Sequence, residues 1–148
     1  MDNPVPFQTT LHVRDACLCL HAQRAARVLA RRFDALLRPV GLTNAQFSLL
    51  MALNRPVPAT IQPLATLLGA DRTTLTAALK PLQREGLVMI EPDPDDRRGR
   101  RIRLTAAGQA RLAQAVPIWT EGHAALEAEL DDPDGLRAGL NAVAGLGA

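Results

Sequence analysis

Three groups of residues have the types and spacing to do chemistry. The first is Asp71-Arg72-Thr73-Thr74-Leu75-Thr76, with Lys80 one turn further on. Arg72, Thr73, Thr74, Thr76 and Lys80 can all donate hydrogen bonds from the start of a helix, where aligned backbone amides also favour an anion. Side chains of this kind at a helix N-terminus suit base edges and phosphates in the major groove of DNA. The plainer reading is a threonine-rich solvated surface. The second group runs from Arg97 to Arg103, where five of seven residues are Arg, preceded by Asp93, Asp95 and Asp96. A tip carrying Arg97, Arg98, Arg100 and Arg101 repels itself unless a polyanion neutralises it, and arginine is the side chain favoured in a narrow minor groove. The plainer reading is a solvated charge run partly satisfied by the three aspartates. The third group is Cys17 and Cys19, whose thiolate forms would be nucleophiles and soft-metal ligands.

The elements that must hold these groups follow from periodicity and punctuation. From Thr10 to Arg38, apolar residues at Leu11, Leu18, Ala22, Ala25, Leu29, Phe33 and Leu36 recur in steps of three, four or seven, which predicts one long helix. Pro39 and Gly41 stop it. Thr43 and Gln46 form a capping box for a second helix carrying Phe47, Leu49, Leu50 and Leu53. Thr60 is placed to cap a third, Ile61 to Leu68, ended by Gly69, and Asp71 to cap a fourth, reaching about Glu85 and closed by Gly86. Two helices separated only by Gly69-Ala70-Asp71 have helix-turn-helix spacing. Leu75, Ala78, Leu79 and Leu82 are expected on the core side of the fourth helix, and Pro81 is expected to bend its end. Leu87 to Glu91 and Arg101 to Leu104 read as strands of a hairpin whose loop spans Pro92 to Gly99. Thr105 is placed to cap a long helix to Leu130 with a break or kink at Pro117, and a last short helix follows Pro133 to about Val143. The fold class expected is mainly α with a small β-hairpin: a winged helix-turn-helix flanked by long N- and C-terminal helices.

The chain has 148 residues, 47% of them apolar, enough for one domain with a real core. Its net charge of +2 excludes a globally basic, histone-like binder. Charge is instead segregated. Sixteen of the seventeen Lys and Arg residues are Arg and Lys80 is the only lysine, whereas Glu121 to Asp134 holds six acids and no Lys or Arg. That pattern gives the molecule one side for a polyanion and another for something else. No apolar run approaches the roughly 20 residues of a membrane helix, and no secretory leader pattern is present at the N-terminus. With two cysteines and no disulfide framework, the expected setting is the reducing cytoplasm, without a membrane.

The segments Leu64-Ala65 to Leu68-Gly69, Asp71 to Thr76, Leu82, Glu85-Gly86-Leu87-Val88, Asp96-Arg97-Arg98 and Leu104-Thr105 with Gly108 resemble the multiple-antibiotic-resistance regulator (MarR) family over roughly residues 10 to 130. The resemblance implies a homodimeric, sequence-specific DNA-binding transcription regulator, commonly a repressor, acting on double-stranded DNA at a pseudo-palindromic operator. Residues 10–40 and 105–146 would form the interlocking dimerisation helices and 43–104 the winged-helix lobe. Arg98 would enter the minor groove and Asp96 would orient the wing. Cys19, Arg27, Pro39, Gly41-Leu42-Thr43 and Gln46 further resemble the organic hydroperoxide resistance (OhrR) branch, in which the residue matching Cys19 is the peroxide-reactive thiol. That branch holds its thiolate with tyrosines. Here Gln23, Phe33 and Asn44 occupy their positions, and the chain has no tyrosine.

On a single helix, at about 100° per residue, Cys17 and Cys19 would point about 200° apart and could not easily bridge. Arg14, His21 and Arg24 lie one or two turns from Cys17, whereas Cys19 has Asp15, Ala22, Gln23 and Ala26. Local charge thus favours Cys17 as the reactive thiol and the family resemblance favours Cys19. Three fates stay open: small buried residues in a dimer interface, a redox switch working by sulfenic acid or an intersubunit disulfide, and a metal or metalloid sensor using His12 or His21 as well. The spacing matches no recurrent zinc pattern, and no resident metal or cofactor is expected. Trp119 and Phe47 read either as core or as the lining of an effector pocket, and His123 either as surface or as a pH sensor.

Two other function classes are weighed against DNA binding. A winged helix serving only protein interaction would need an exposed apolar patch where the arginines stand. An enzyme such as a thiol peroxidase would need a nucleophile with a base partner at recognisable spacing, and none is present, nor is a phosphate-binding glycine loop.

Overall fold

A computed structural model describes residues 3–146. The chain runs α1 (Phe7–Ala16), α2 (Leu18–Leu37), a 3-10 turn (Arg38–Val40), α3 (Asn44–Leu53), β1 (Ala59–Thr60), α4 (Ile61–Leu68), α5 (Arg72–Arg84), β2 (Val88–Asp93), β3 (Asp96–Leu104), α6 (Ala106–Ala128) and α7 (Pro133–Gly145). It is a mainly helical winged helix-turn-helix with one small sheet.

Helix ends are fixed by local chemistry. Thr43 Oγ1 accepts from Gln46 N while Gln46 Oε1 accepts from Thr43 N, so the capping box of α3 is complete. Asp71 caps α5, Thr105 caps α6 and Asp132 caps α7, each accepting the amide three residues on. Thr60 precedes α4 without making the expected cap: its side chain accepts no amide, and its backbone serves the sheet instead, opposite Arg101 of β3. Between α4 and α5, Gly69 takes φ +63°, a conformation that costs a side chain but not glycine, and the Ala70 amide closes back onto the Ala65 carbonyl at 2.9 Å. That turn directs α5 away from α4.

Three expectations change. The single N-terminal helix is two, broken at Cys17, whose backbone is extended (φ −71°, ψ 106°). Hydrogen bonds still enter and leave this residue, from its amide to Val13 and from His21 to its carbonyl. The thiol of Cys17 accepts the Leu20 amide at 3.5 Å, standing in for the helical carbonyl that the break removes. A cysteine able to cap leaves no mark in an apolar repeat that keeps its phase across the break. Second, Pro117 causes no break in α6; α5 runs on past Pro81 to Arg84, as expected. The carbonyls that lose an amide partner, at Ala77 and Ala113, lie on exposed residues that water can reach. Third, the wing is longer and tighter than the alternation implied. The sheet has three strands in the order β1-β3-β2, with Ala59 opposite Ile102 and Ile90 opposite the same residue from the other side. Only Pro94 and Asp95 form the turn, so most of the expected loop is strand.

The core lies where α2, α3, α4, α5, the sheet and the first turns of α6 converge. Leu37, Leu50, Leu64, Leu79, Leu82, Leu87 and Ile102 are its most buried large side chains. Gly108 lets α6 pass so close to the connection between α5 and β2 that a Cβ there would overlap the carbonyl oxygen of Leu87. Thr105 locks the same junction, its hydroxyl donating to Gly86 O at 2.6 Å and accepting from Gly108 N at 3.0 Å. The reading helix is thereby tied to the long helix that follows the wing.

Candidate nucleic-acid interface

The interface candidate consists of the outward face of α5 and the tip of the β2–β3 hairpin. Leu75, Leu79 and Leu82 bury one side of α5, but Ala78, expected among them, is exposed. The other side presents Arg72, Thr73, Thr76, Ala77 and Lys80, which line a shallow concavity. Asp71 anchors the first turn: Thr74 N donates to Oδ1 at 2.7 Å and Thr74 Oγ1 donates to Oδ2 at 2.9 Å. These hydrogen bonds, the backbone one foremost, hold the Asp71 carboxyl below its ordinary pKa. Thr76 Oγ1 donates to the Arg72 carbonyl at 2.8 Å. Of the five donors read from the sequence, Thr74 and Thr76 therefore have their hydroxyl protons engaged inside the helix. Arg72, Thr73 and Lys80 keep theirs facing outward.

At the wing, strand register divides the arginines into two sets. Arg101 Nε lies 3.1 Å from Asp93 and its Nη2 2.8 Å from Asp95, and Arg103 pairs with Glu91 at 2.7 Å. These pairs brace the hairpin, so Arg101, expected at a free tip, is a structural residue. Pro92 faces Arg100 while Asp93 faces Asp96, so Arg97, Arg98 and Gly99 are extruded as a bulge. Asp96 Oδ1 accepts the Arg98 amide at 3.0 Å, and Gly99 fits against Asp93 and Asp96, where a Cβ would stand 3.1 Å from that of Asp93. Arg97, Arg98 and Arg100 are exposed, and among the described residues none of the three has an acidic partner. Arg100 donates only to the Gly99 carbonyl. The aspartates thus neutralise the base of the wing and shape its tip, leaving three guanidinium groups unpaired.

The cysteines lie far along the chain from this face, Cys17 at the helix break and Cys19 in the first turn of α2. Cys17 is half-buried and Cys19 exposed. Arg14, one of the cations expected to favour Cys17, is taken by Asp15 at 2.6 Å, and His21 Nδ1 meets the Cys17 carbonyl rather than its sulfur. Gln23 Nε2 donates to Cys19 Sγ at 3.0 Å, and Arg27 donates to Gln23 Oε1 at 3.3 Å. Because the two residues do not share a helix, the 200° separation that argued against their bridging does not apply. The aromatic expectation divides as well. Phe47 is core, and Trp119 is half-buried and stacked between Phe47, at 6.0 Å between ring centroids, and His123, at 4.6 Å. Phe47 and Trp119 also border an apolar cleft between α3, α4 and α6.

Comparison with known proteins agrees with this geometry. The MarR family model matches residues 42–99, the stretch from α3 to the wing bulge. The crystal structure of the Mycobacterium tuberculosis transcriptional regulator MosR in complex with DNA superposes with a TM-score of 0.82 at 39% identity, covering 88% of this chain and 96% of that one. The transcriptional repressor MprA of Escherichia coli is 30% identical over 114 residues, 76% of this chain but 61% of that protein's length. The organic hydroperoxide resistance transcriptional regulator of Bacillus subtilis is 28% identical over 101 residues, 68% of this chain and 69% of that one. These relatives are transcription regulators, not enzymes, and the shared fold extends over nearly the whole of the DNA-bound MosR chain. This chain belongs to the MarR family of DNA-binding transcription regulators.

Proposed function

We propose that the protein works in the cytoplasm as a homodimer that binds a pseudo-palindromic operator and represses transcription until an oxidant or small-molecule effector releases it. The observation that carries the DNA contact is the trio Arg97, Arg98 and Arg100, unpaired on and beside a bulge while the following arginines, Arg101 and Arg103, are matched by acids. In this reading α5 enters the major groove, Arg72, Thr73 and Lys80 offer free donors there, Thr74 and Thr76 complete the helix start, and Arg98 enters the minor groove on a wing held by Asp96. Dimerisation through residues 10–40 and 105–146 is supported by what they leave uncovered. Neither α1 nor α7 buries a residue within the chain, and Val13, Leu18, Leu140 and Val143 are each at least half exposed. Apolar surface of that extent calls for a partner.

The favoured sensor is Cys19, an exposed thiol held by the Gln23 amide where the resembling branch uses tyrosine. Its thiolate attacks an organic hydroperoxide. The S–O bond forms as the O–O bond breaks, the alkoxide takes a proton and leaves as alcohol, and the cysteine becomes a sulfenic acid.

Both parts are testable by fluorescence anisotropy on an operator duplex. Arg98→Ala is expected to weaken binding about tenfold across sequences alike. Unchanged affinity at physiological salt removes the wing from the interface. Addition of organic hydroperoxide is expected to release the wild type and the Cys17→Ser variant but not Cys19→Ser. The reverse ranking makes Cys17 the sensor, and no release in any of the three assigns control to a non-oxidative ligand.

A further inference from the structure

The groove-facing side of α5 is chemically narrower than its composition. Thr73, Thr76, Ala77 and Lys80 recur at i, i+3, i+4 and i+7, so they share one face, and with Arg72 they line a single concavity. Its charged donors stand only at the two ends, Arg72 at the first turn and Lys80 two turns on. Between them, Thr76 has turned its hydroxyl onto the Arg72 carbonyl at 2.8 Å. That hydroxyl has one proton, and the helix backbone holds it. What Thr76 has left to offer a ligand is its γ-methyl group and an oxygen that can only accept, and its exposed neighbour Ala77 has only a methyl. The middle of the reading surface therefore presents methyl groups and no free donor, although its sequence, Thr-Ala, is half polar.

Of the groups that base edges present in the major groove, the thymine C5-methyl is the apolar one. We propose that Thr76 and Ala77 form a seat for thymine methyl groups and so determine sequence specificity, with Arg72 and Lys80 bracketing the seat and fixing its register. This rests on α5 being the groove-reading helix. It assigns Thr76 a contact through carbon, opposite to the donor role its residue type suggests, and gives Ala77 a role where the sequence shows only a filler.

The test uses a duplex recovered from a randomised pool by the full-length wild-type protein. Each thymine of the half-site is replaced in turn by deoxyuridine, which removes the methyl and nothing else. Affinity is expected to fall about fourfold at one or two positions, the equivalent of about 0.8 kcal/mol per methyl group. Thr76→Val keeps the methyl and should bind as the wild type does. Thr76→Ser keeps the hydroxyl and should bind about fourfold more weakly, with a diminished penalty for uridine. If uridine is silent at every position, or if Thr76→Val loses as much as Thr76→Ser, the seat does not exist and the hydroxyl or neither group makes the contact. A protein that recovers no duplex from the pool overturns the groove-reading role itself, an outcome distinct from tight binding that ignores the methyl.

Discussion

Arg98 and Arg101 sit three residues apart on β3, and their surroundings separate their roles. Arg101 is clasped by Asp93 and Asp95, while Arg98 has only its backbone amide engaged, by Asp96. A run of five arginines in seven residues announces a polyanion site in the sequence. Which of them are free depends on a bulge in strand register that no count of residues contains. The same limit applies to Thr74 and Thr76, legible as donors and found with their protons engaged within α5. Asp71 illustrates a residue read correctly, and its cap has a pH signature. Because hydrogen bonding lowers its folded pKa below the ordinary value of 3.8, the cap's contribution is fully present above that pH and is lost as pH falls through the folded value. Asp71→Asn, which keeps an acceptor that does not titrate, is expected to melt below the wild type at pH 7, with the gap in Tm closing as the pH is brought down toward 3. A gap that stays constant over that range contradicts the cap.

Elements were legible wherever they are long or carry a cap. The boxes and caps at Thr43, Asp71 and Thr105 and the glycine stops at Gly41, Gly69 and Gly86 mark most of the helix ends seen. The failures have local causes. β1 is two residues long, too short to alternate, and exists because β3 offers it an edge at Ile102 and Arg101. The break at Cys17 depends on a thiol acting as an acceptor. Pro117 does not break α6, where Ala113, whose carbonyl loses its amide partner, is an exposed residue. α6 packs closely against the connection between α5 and β2, where Gly108 meets the Leu87 carbonyl. Gly108→Ala normally favours a helix, yet here the added methyl must displace backbone, so a loss of about 2 kcal/mol is expected in urea unfolding. A neutral or stabilising effect would mean that the junction can open without cost.

At the scale of the whole molecule, charge and exposure divide the chain into two working ends. The unpaired arginines and the outward side of α5 lie within residues 72–100, and the uncovered apolar side chains of α1, α2 and α7 flank that lobe in sequence. Cys19 lies on a helix separate from α5 and the wing, and α2 packs against α3 and α6, so the proposed sensor would act on the DNA-reading surface through those helices or through the spacing of the lobes in the proposed dimer. In the proposed dimer, DNA affinity should depend on salt through both copies at once. The most direct test is the slope of log affinity against log salt for the dimer on its operator, compared between the wild type and a variant with Arg97, Arg98 and Arg100 all changed to Ala. Each phosphate contact contributes about 0.9 to the slope, and the two wings together should make the variant's slope shallower by about 2 or more. Equal slopes would contradict the account, because the unpaired arginines would then meet no phosphates.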